Sequence, residues 1–311
     1  MIITVTMNPA MDRTVEIDSL NRGGLNRICR AELDVGGKGI NVSKTIRELG
    51  GTSLATGFMG GHTGRMMENV LKSLEIPMDF VPVDGETRTN TKVFEKDGEV
   101  TELNEPGPVI TECQMEALFT KLSGYAGKGT LFVLAGSIPQ GTDTNIYSRI
   151  IRMAHEKGAE VLLDADGELL RQGMIEKPEI VKPNRAELEK LCGQKSGASI
   201  DRLEECARGL LVKGIGMVVV SLGKEGAMFF TEECRIKCPA LSVNAHSTVG
   251  AGDAMAAALA YAWEKKLDIK ETVRLCMASS AGAVTTRGTK PPSKDLVEKL
   301  KKQVKTEIIW S

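Results

Sequence analysis

The chain has 311 residues and a formal net charge of −1, from 40 basic and 41 acidic side chains, so no overall basic field exists to gather nucleic acid or anionic lipid and any anion site must be local. Apolar residues make up 41% and charged residues 26%, the balance of a globular protein that can bury a large core without disulfides or metals. No stretch approaches the ~20 consecutive apolar residues of a membrane-spanning helix. The opening MIITVTMNPAMD lacks the basic start and long apolar run of a signal peptide, and the seven scattered cysteines suit a reducing compartment, so the expected location is the cytoplasm. Cys234 and Cys238 stand four apart, but no CxxC pair occurs and no His lies at ligand spacing, which argues against a zinc site.

In chain order, IITVTM (2–7) reads as a buried strand. Residues 12–35 contain RTVEID and NRICRAELDV, which alternate apolar and polar side chains. GINVSKTIRELG (39–50) has the apolar spacing of a helix that stops at Gly50. LATGF (54–58) reads as a strand and TGRMMENVLKSL (63–74) as a helix. Residues 88–104 hold two alternating runs around Asp97-Gly98, a hairpin signal. TLFVLAG (130–136), AEVLLDA (159–165), EIVKPN (179–184) and GMVVVSLG (216–223) are short apolar runs typical of strands buried on both faces. Helical patterns lie between them near 143–157, 185–192 and 201–213. Strands alternating with helices imply right-handed βαβ crossovers and an α/β fold with a mostly parallel sheet. Segments 12–35 and 88–104 break that rhythm and are expected to form a small separate sheet, a lid or a dimer surface, within one domain spanning 1–311.

Four motifs carry possible chemistry. In GGKGINVSK (36–44), the third glycine of a dinucleotide fingerprint is replaced by Val42, so a Rossmann site is not indicated. Gly36, Gly37 and Gly39 make either a plain turn before a helix or a place where backbone approaches a ligand, with Lys38 and Asn41 beside it. In KPNRAEL (182–188), Asn184 and Glu187 stand at capping-box spacing, yet both are also oxygen donors suited to Mg²⁺. SLGKEG (221–226) is a tight turn or a nucleotide contact at a strand's carboxyl end. In HSTVGAGDAM (246–255), Gly250, Ala251 and Gly252 precede an Ala-rich helix, whose free N–H groups would bind an anion. Asp253 is then either a cap or a base that takes a proton from an attacking hydroxyl. No Walker A, HExxH or convincing Ser/His/Asp arrangement is present.

GGKGINVSKTIRELGG and STVGAGDAMAAAL, with VKPNRAEL and SLGKEGA between them in that order, resemble the signatures of the ribokinase-like, phosphofructokinase B family of sugar kinases over essentially the whole chain. TMNPAMD, GGLNR, TRTNTKV, DGEVTELN and AGSIPQG resemble the branch that acts on sugar phosphates. The resemblance implies a ribokinase-like three-layer sandwich with a small β lid, and ATP-dependent phosphorylation of fructose 1-phosphate at its 6-hydroxyl. Tagatose 6-phosphate is the near alternative acceptor, and a sugar-phosphate-binding regulator without turnover the more distant one. By motif, Asp253 would be the general base, and Gly250, Ala251 and Gly252 the anion hole. Asn184 and Glu187 would organise Mg²⁺ indirectly, together with the phosphates; Lys182, Ser221, Gly223, Lys224 and Gly226 would line the ATP site. Asp12, Gly36, Gly37 and Asn41 would hold the sugar, Lys38, Arg88 and Arg27 would meet its phosphate, and Ser137 is a further acceptor-site candidate. Many family members carry an Asp tied to a monovalent-cation site where this chain has Ser247, so potassium dependence does not carry over. A homodimer through the lid is expected.

Overall fold

The computed structural model describes residues 1–246 and 248–310. From the N-terminus come β1 (Ile2–Thr6), β2 (Ala10–Ile17), β3 (Arg30–Gly36), α1 (Lys38–Glu48), β4 (Ser53–Gly60), α2 (Gly61–Ser73), β5 (Val81–Val83), β6 (Arg88–Glu95) and β7 (Val100–Asn104). The middle of the chain forms α3 (Glu112–Tyr125), β8 (Leu131–Ala135), α4 (Ile146–Glu156), β9 (Glu160–Asp164), α5 (Gly167–Gly173), β10 (Ile180–Val181), α6 (Arg185–Leu191), α7 (Ile200–Val212) and β11 (Met217–Ser221). After these follow β12 (Ala227–Phe230), β13 (Cys234–Cys238), α8 (Ala251–Lys265), α9 (Ile269–Ala283), α10 (Lys294–Lys301) and β14 (Glu307–Trp310).

Among the described residues, ten strands make one sheet in the order β14-β13-β12-β11-β10-β9-β8-β1-β4-β5. Neighbours from β5 to β11 run parallel, and β12, β13 and β14 extend the edge antiparallel. The apolar runs divide between the two faces with the two-residue period of a strand. Ile3, Val5, Phe132, Leu134, Val161, Leu163, Val218 and Val220 join one core with α3, α4, α6 and α7. Ile2, Leu131, Val133, Leu162 and Val219 join the other with α1, α8, α9 and α10. This is the expected three-layer α/β sandwich, and it explains why the central strands read as unbroken apolar runs.

The two alternating segments pair into a second sheet, β3-β2-β6-β7, in which β2 and β6 are parallel and the outer pairs antiparallel. Its register places Asp34, Asp12, Asn90 and Asn104 in one cross-strand row, and Leu33, Arg13, Thr91 and Leu103 in the next, on the opposite face. Val15, Ile17 and Val93 form its own small core. The Asp97-Gly98 turn closes β6 onto β7, with the Gly98 N–H donating to the Glu95 carbonyl at 3.0 Å.

Several elements differ from the sequence reading: β5, α5, β12, β13, α9, α10 and β14 were not read from it at all, and β10 and α3 differ for identifiable reasons. Strand β10 is two residues long rather than spanning 179–184, because Pro183 has no N–H to continue the ladder and only an isolated bridge, Asn184 to Ser221, follows it. Helix α3 has no counterpart in the sequence reading; only Leu118 and Leu122 are buried, so its apolar stripe is narrow, and its signal is the Thr111–Gln114 capping box.

Helix α8 carries the motif at 250–253 and fits between α1 and α9 through alanines, with Ala256, Ala257 and Ala258 fully buried. Small side chains let the helix lie close to its neighbours. Ala257→Leu is therefore expected to destabilise the fold by about 1–3 kcal/mol through overpacking. A urea-unfolding midpoint equal to wild type would show slack space around α8.

Candidate active site

Strand ends build the site. The carboxyl ends of β1, β8 and β9 deliver Thr6 and Asn8, Ser137, and Asp164 and Asp166, the position where open α/β sheets bind ligands. The small sheet covers them with Asp12, Arg88, Asn90, Lys92, Glu102 and Asn104. Between the two lies a cleft of about 340 Å³ that also reaches Lys38, Asn41, Gly250, Asp253 and Thr289.

At the far wall, Gly250 takes a left-handed conformation (φ 82°) and starts α8, and no side chain caps this terminus among the described residues. A residue with a Cβ would strain that turn. The first N–H groups of a helix lack intrahelical partners and sum with the helix dipole to attract anions. A Cβ built on Gly252 would lie 3.4 Å from the Lys182 Nζ, so an ammonium flanks the same terminus. Asp253 follows within the first turn, buried, and its Oδ2 accepts from the Asn41 Nδ2 at 2.8 Å. Burial pushes the Asp253 carboxyl up to about 6; Asp164 adds to the rise, while Lys38, the Asn41 amide and Lys182 oppose it. A carboxylate so tuned accepts protons near neutral pH.

Asp164 organises the two cations. Its Oδ1 meets Lys182 Nζ at 3.2 Å and Lys38 Nζ at 3.4 Å, and its Oδ2 is buried without a hydrogen-bond partner among the described residues. Burial alone would raise its carboxyl, but the two lysines hold it below the ordinary carboxylate value. Asp164 in turn holds Lys38 charged, against the opposing effect of burial.

Across the cleft, Asp12 Oδ1 accepts from Asn90 Nδ2 at 3.4 Å and Oδ2 lies 3.9 Å from Lys92 Nζ. Gly36 leaves room for the Asp12 carboxylate, which a Cβ would overlap. Arg88 is fixed by the Asn8 carbonyl at 3.0 Å, the Glu105 carbonyl at 3.1 Å and Ser137 Oγ at 3.4 Å, while its Nε is buried and unpartnered among the described residues.

The structure thus brings Asp12, Gly37, Lys38, Asn41, Arg88, Ser137, Gly250 and Asp253 to one cleft, with Ala251, Gly252 and Lys182 behind its α8 wall. Arg27 is not brought there: it is exposed on the connection between β2 and β3. Asn184 and Glu187 form a reciprocal capping box on α6, Asn184 Oδ1 accepting from the Glu187 N–H at 2.9 Å and Glu187 Oε2 from the Asn184 N–H at 2.8 Å. Ser221, Gly223 and Lys224 lie at the neighbouring end of β11, outside the cleft lining. Gly226 (φ 103°) is needed by the turn itself, since a Cβ would run into the Cys238 carbonyl. Ser247 lies outside the described residues.

Sequence reasoning missed Asp164, Asn8, Asn90, Lys92, Lys44 and Thr289. Asn90 and Lys92 share the alternation of Arg88 in TRTNTKV, which puts all three on one face of β6. Asp164 ends a buried strand, a position that gains meaning only once Lys38 and Lys182 are seen to meet it. Lys44 and Thr289 had no local signal.

Asp and Glu cages are absent: no cluster of three or more His, Cys, Asp or Glu side chains able to hold a metal occurs among the described residues. The donor set nevertheless suits Mg²⁺, which takes one or two carboxylates together with phosphate oxygens and water. Glu187 keeps Oε1 outside its cap bond, and Asp164 keeps Oδ2.

An anion-attracting helix terminus beside a buried carboxyl, in a polar cleft under a small sheet, has the chemistry that phosphoryl transfer needs. Residues 5–296 match the pfkB family carbohydrate kinases, and the chain belongs to that family. It is 32% identical to the 1-phosphofructokinase of Vibrio cholerae, over 99% of this chain and 97% of the relative. It is also 32% identical to a tagatose-6-phosphate kinase of Staphylococcus epidermidis, over 84% of each chain. Phosphofructokinase-2 of Escherichia coli in complex with substrates and products superposes with a TM-score of 0.93 at 29% identity, covering 97% of this chain and 98% of that one. Among the described residues no helix is long and apolar enough to cross a membrane.

A buried carboxyl raised above its ordinary value favours folding only while protonated. The penalty for Asp253 sets in as pH climbs from the ordinary value of 3.8 toward about 6, and is complete above that. Asp253→Asn is therefore expected to melt at a higher temperature than wild type at pH 7 and with little difference at pH 4. Equal melting temperatures at pH 7 would show that the charged form is not strained.

Proposed function

We propose that this protein transfers the γ-phosphoryl group of ATP to the 6-hydroxyl of fructose 1-phosphate, yielding ADP and fructose 1,6-bisphosphate. The observation that carries the reading is the placement of Asp253 at the anion-attracting start of α8, in the same cleft as Lys38, Arg88 and Lys92. One wall receives the transferring phosphoryl, and the opposite wall holds cations for an acceptor that is already phosphorylated. The likeness to 1-phosphofructokinases over nearly the full chain supports the choice of acceptor.

In the reaction, Asp253 accepts the proton of the 6-hydroxyl as that oxygen bonds to the γ-phosphorus. The bond from the γ-phosphorus to the bridging oxygen breaks, and ADP leaves with those electrons. Backbone N–H groups of Gly250, Ala251 and Gly252, with Lys182 beside them, stabilise the negative charge on the transferring group. Each preorganised donor of this kind contributes on the order of 100-fold or more in rate. Glu187, held in place by its cap with Asn184, and Asp164 would hold Mg²⁺, whose positive charge would supply neutralisation of the phosphates. Ser221, Gly223, Lys224 and Gly226 border the space along the sheet's carboxyl edge into which the rest of the nucleotide extends. Asp12 binds sugar hydroxyls, and Arg88, anchored to Ser137 and Asn8, meets the substrate phosphate with Lys38. The small sheet acts as a lid.

The outer face of that sheet exposes Leu33 (55%) and Leu103 (59%) in one cross-strand row, with Leu25 and Ile28 exposed on the adjoining connection. Such a face fits pairing of two copies, as a homodimer. Sedimentation equilibrium should give a two-chain mass, and a single-chain mass at micromolar protein would refute the pairing.

Purified protein with ATP and Mg²⁺ should turn over fructose 1-phosphate in preference to other hexose phosphates. Preference for tagatose 6-phosphate would reassign the acceptor, and ligand binding with no ADP release would point to a regulator. Since the deprotonated base is the active form, kcat/KM should rise with pH through a midpoint near 6, the value for Asp253. Asp253→Asn should lower turnover by roughly 100- to 10,000-fold; activity near wild type would reject its role.

A further inference from the structure

Lys44 belongs to none of the contacts assigned above, yet its ammonium is buried at 7% exposure and fully used. It donates to the Val35 carbonyl at 2.7 Å, to Asn41 Oδ1 at 3.3 Å and to Thr289 Oγ1 at 3.5 Å. Burial pushes this ammonium below its ordinary value, and Asp34, Asp12 and Asp253 pull against that fall. A protein does not bury a lysine against hydrophobic packing at this cost for shape alone; a leucine or methionine would fill the same space.

The three acceptors come from three separate parts of the site. Val35 is the last residue but one of β3, at the root of the small sheet. Thr289 lies on the loop after α9 and lines the cleft. Asn41 stands three residues before Lys44 on the same face of α1 and touches the base. The Asn41 amide has two distinct ends. Its Oδ1 faces the ammonium, which leaves Nδ2 to donate to Asp253 Oδ2 at 2.8 Å. The flipped amide would set its oxygen against the Asp253 carboxylate and its NH₂ against the Lys44 ammonium, which is unfavourable at both ends.

We infer that Lys44 is a positioning residue for the phosphoryl-transfer base: it locks the Asn41 amide so that Asp253 receives a hydrogen bond and stays aimed at the acceptor hydroxyl, and it ties that arrangement to the root of the small sheet. This rests on the reading of Asp253 as general base. The charged groups around Asp253 are Asp164 on β9, Lys38 on α1 and Lys182 after β10. Those around Lys44 are Asp34 on β3, Asp12 on β2, Asp253 on α8 and Lys290 beyond α9. Losing Lys44 removes a cation near Asp253 and frees the amide to turn, and both changes favour the protonated, inactive carboxyl.

The test compares Lys44→Met, Lys44→Arg and Asp253→Asn with wild type, recording kcat, the KM for ATP and the pH dependence of kcat/KM with the acceptor found in the hexose-phosphate panel. Lys44→Met should lower kcat by about 10- to 100-fold, as expected for misplacement of a reacting group. It should leave the KM for ATP unchanged and move the pH midpoint upward. Lys44→Arg, which keeps the charge and the donors, should restore the midpoint. A midpoint equal to wild type in folded Lys44→Met, whatever its activity, overturns the inference, because a purely structural role would lower activity without moving it. Should Lys44→Met not accumulate as folded protein, Asn41→Ala decides: it cuts the same relay, and a midpoint equal to wild type there overturns the proposal. Full activity in Asp253→Asn would instead overturn the base assignment itself, a separate outcome.

Discussion

A buried carboxylate beside an anion-attracting helix start is the constraint on which the other parts of this site depend. Asp253 would repel an incoming phosphoryl group, and its burial weakens the screening that solvent would give. Lys38 and Lys182 oppose that repulsion, but two bare ammoniums in a cleft would also repel each other. Asp164 resolves the conflict by accepting both on one oxygen. The result is an alternating set of charges in which each member is tolerable only because of its neighbours. A chain with a net charge of −1 can therefore hold a strongly polarised interior site.

The same constraint explains the small residues around it. Gly250 turns the chain into α8 in a left-handed conformation, and Gly252 leaves space in which Lys182 lies against the helix. Alanines along α8 hold it close to α1, and that proximity is what allows Asn41 to reach Asp253 from another helix. Packing and site geometry are thus one requirement here: widening the α1–α8 contact would break the Asn41–Asp253 hydrogen bond.

How much of this was legible in the sequence depended on whether a signal was local. The central strands were readable because burial on both faces leaves unbroken apolar runs such as LFVLA, and the hairpin at 95–100 because Asp97-Gly98 is a turn signal. Asp253, Lys38 and Arg88 stood inside motifs whose chemistry is compressed into a few residues. Asp164 was not legible as a site residue, since a single Asp at a strand end gains meaning only when Lys38 and Lys182, from distant segments, are placed on it. Asn184 and Glu187 show the opposite limit. Their spacing was read both as a cap and as a metal-binding pair, and the cap exists, while the remaining oxygen of Glu187 leaves the second use open to the same residue. Helix α3 was missed because its stripe is too narrow to announce itself, and β10 was overextended because a proline ends the ladder within an apolar run.

Segment 36–44 shows why the site needs a helix at this place rather than a loop. Gly36 makes room for Asp12 under the small sheet. Lys38, Asn41 and Lys44 then follow at intervals of three, which on an α-helix stacks them along one face. Lys38 reaches Asp164, Asn41 reaches Asp253, and Lys44 reaches back to Val35 at the root of the sheet. One rigid element therefore touches the phosphate side, the base and the covering sheet at fixed separations. Lys44 thus joins the root of the small sheet to the Asn41 amide, and Asn41 joins it to Asp253, all through one helix. A loop carrying the same three residues would satisfy each contact singly but would lose that linkage.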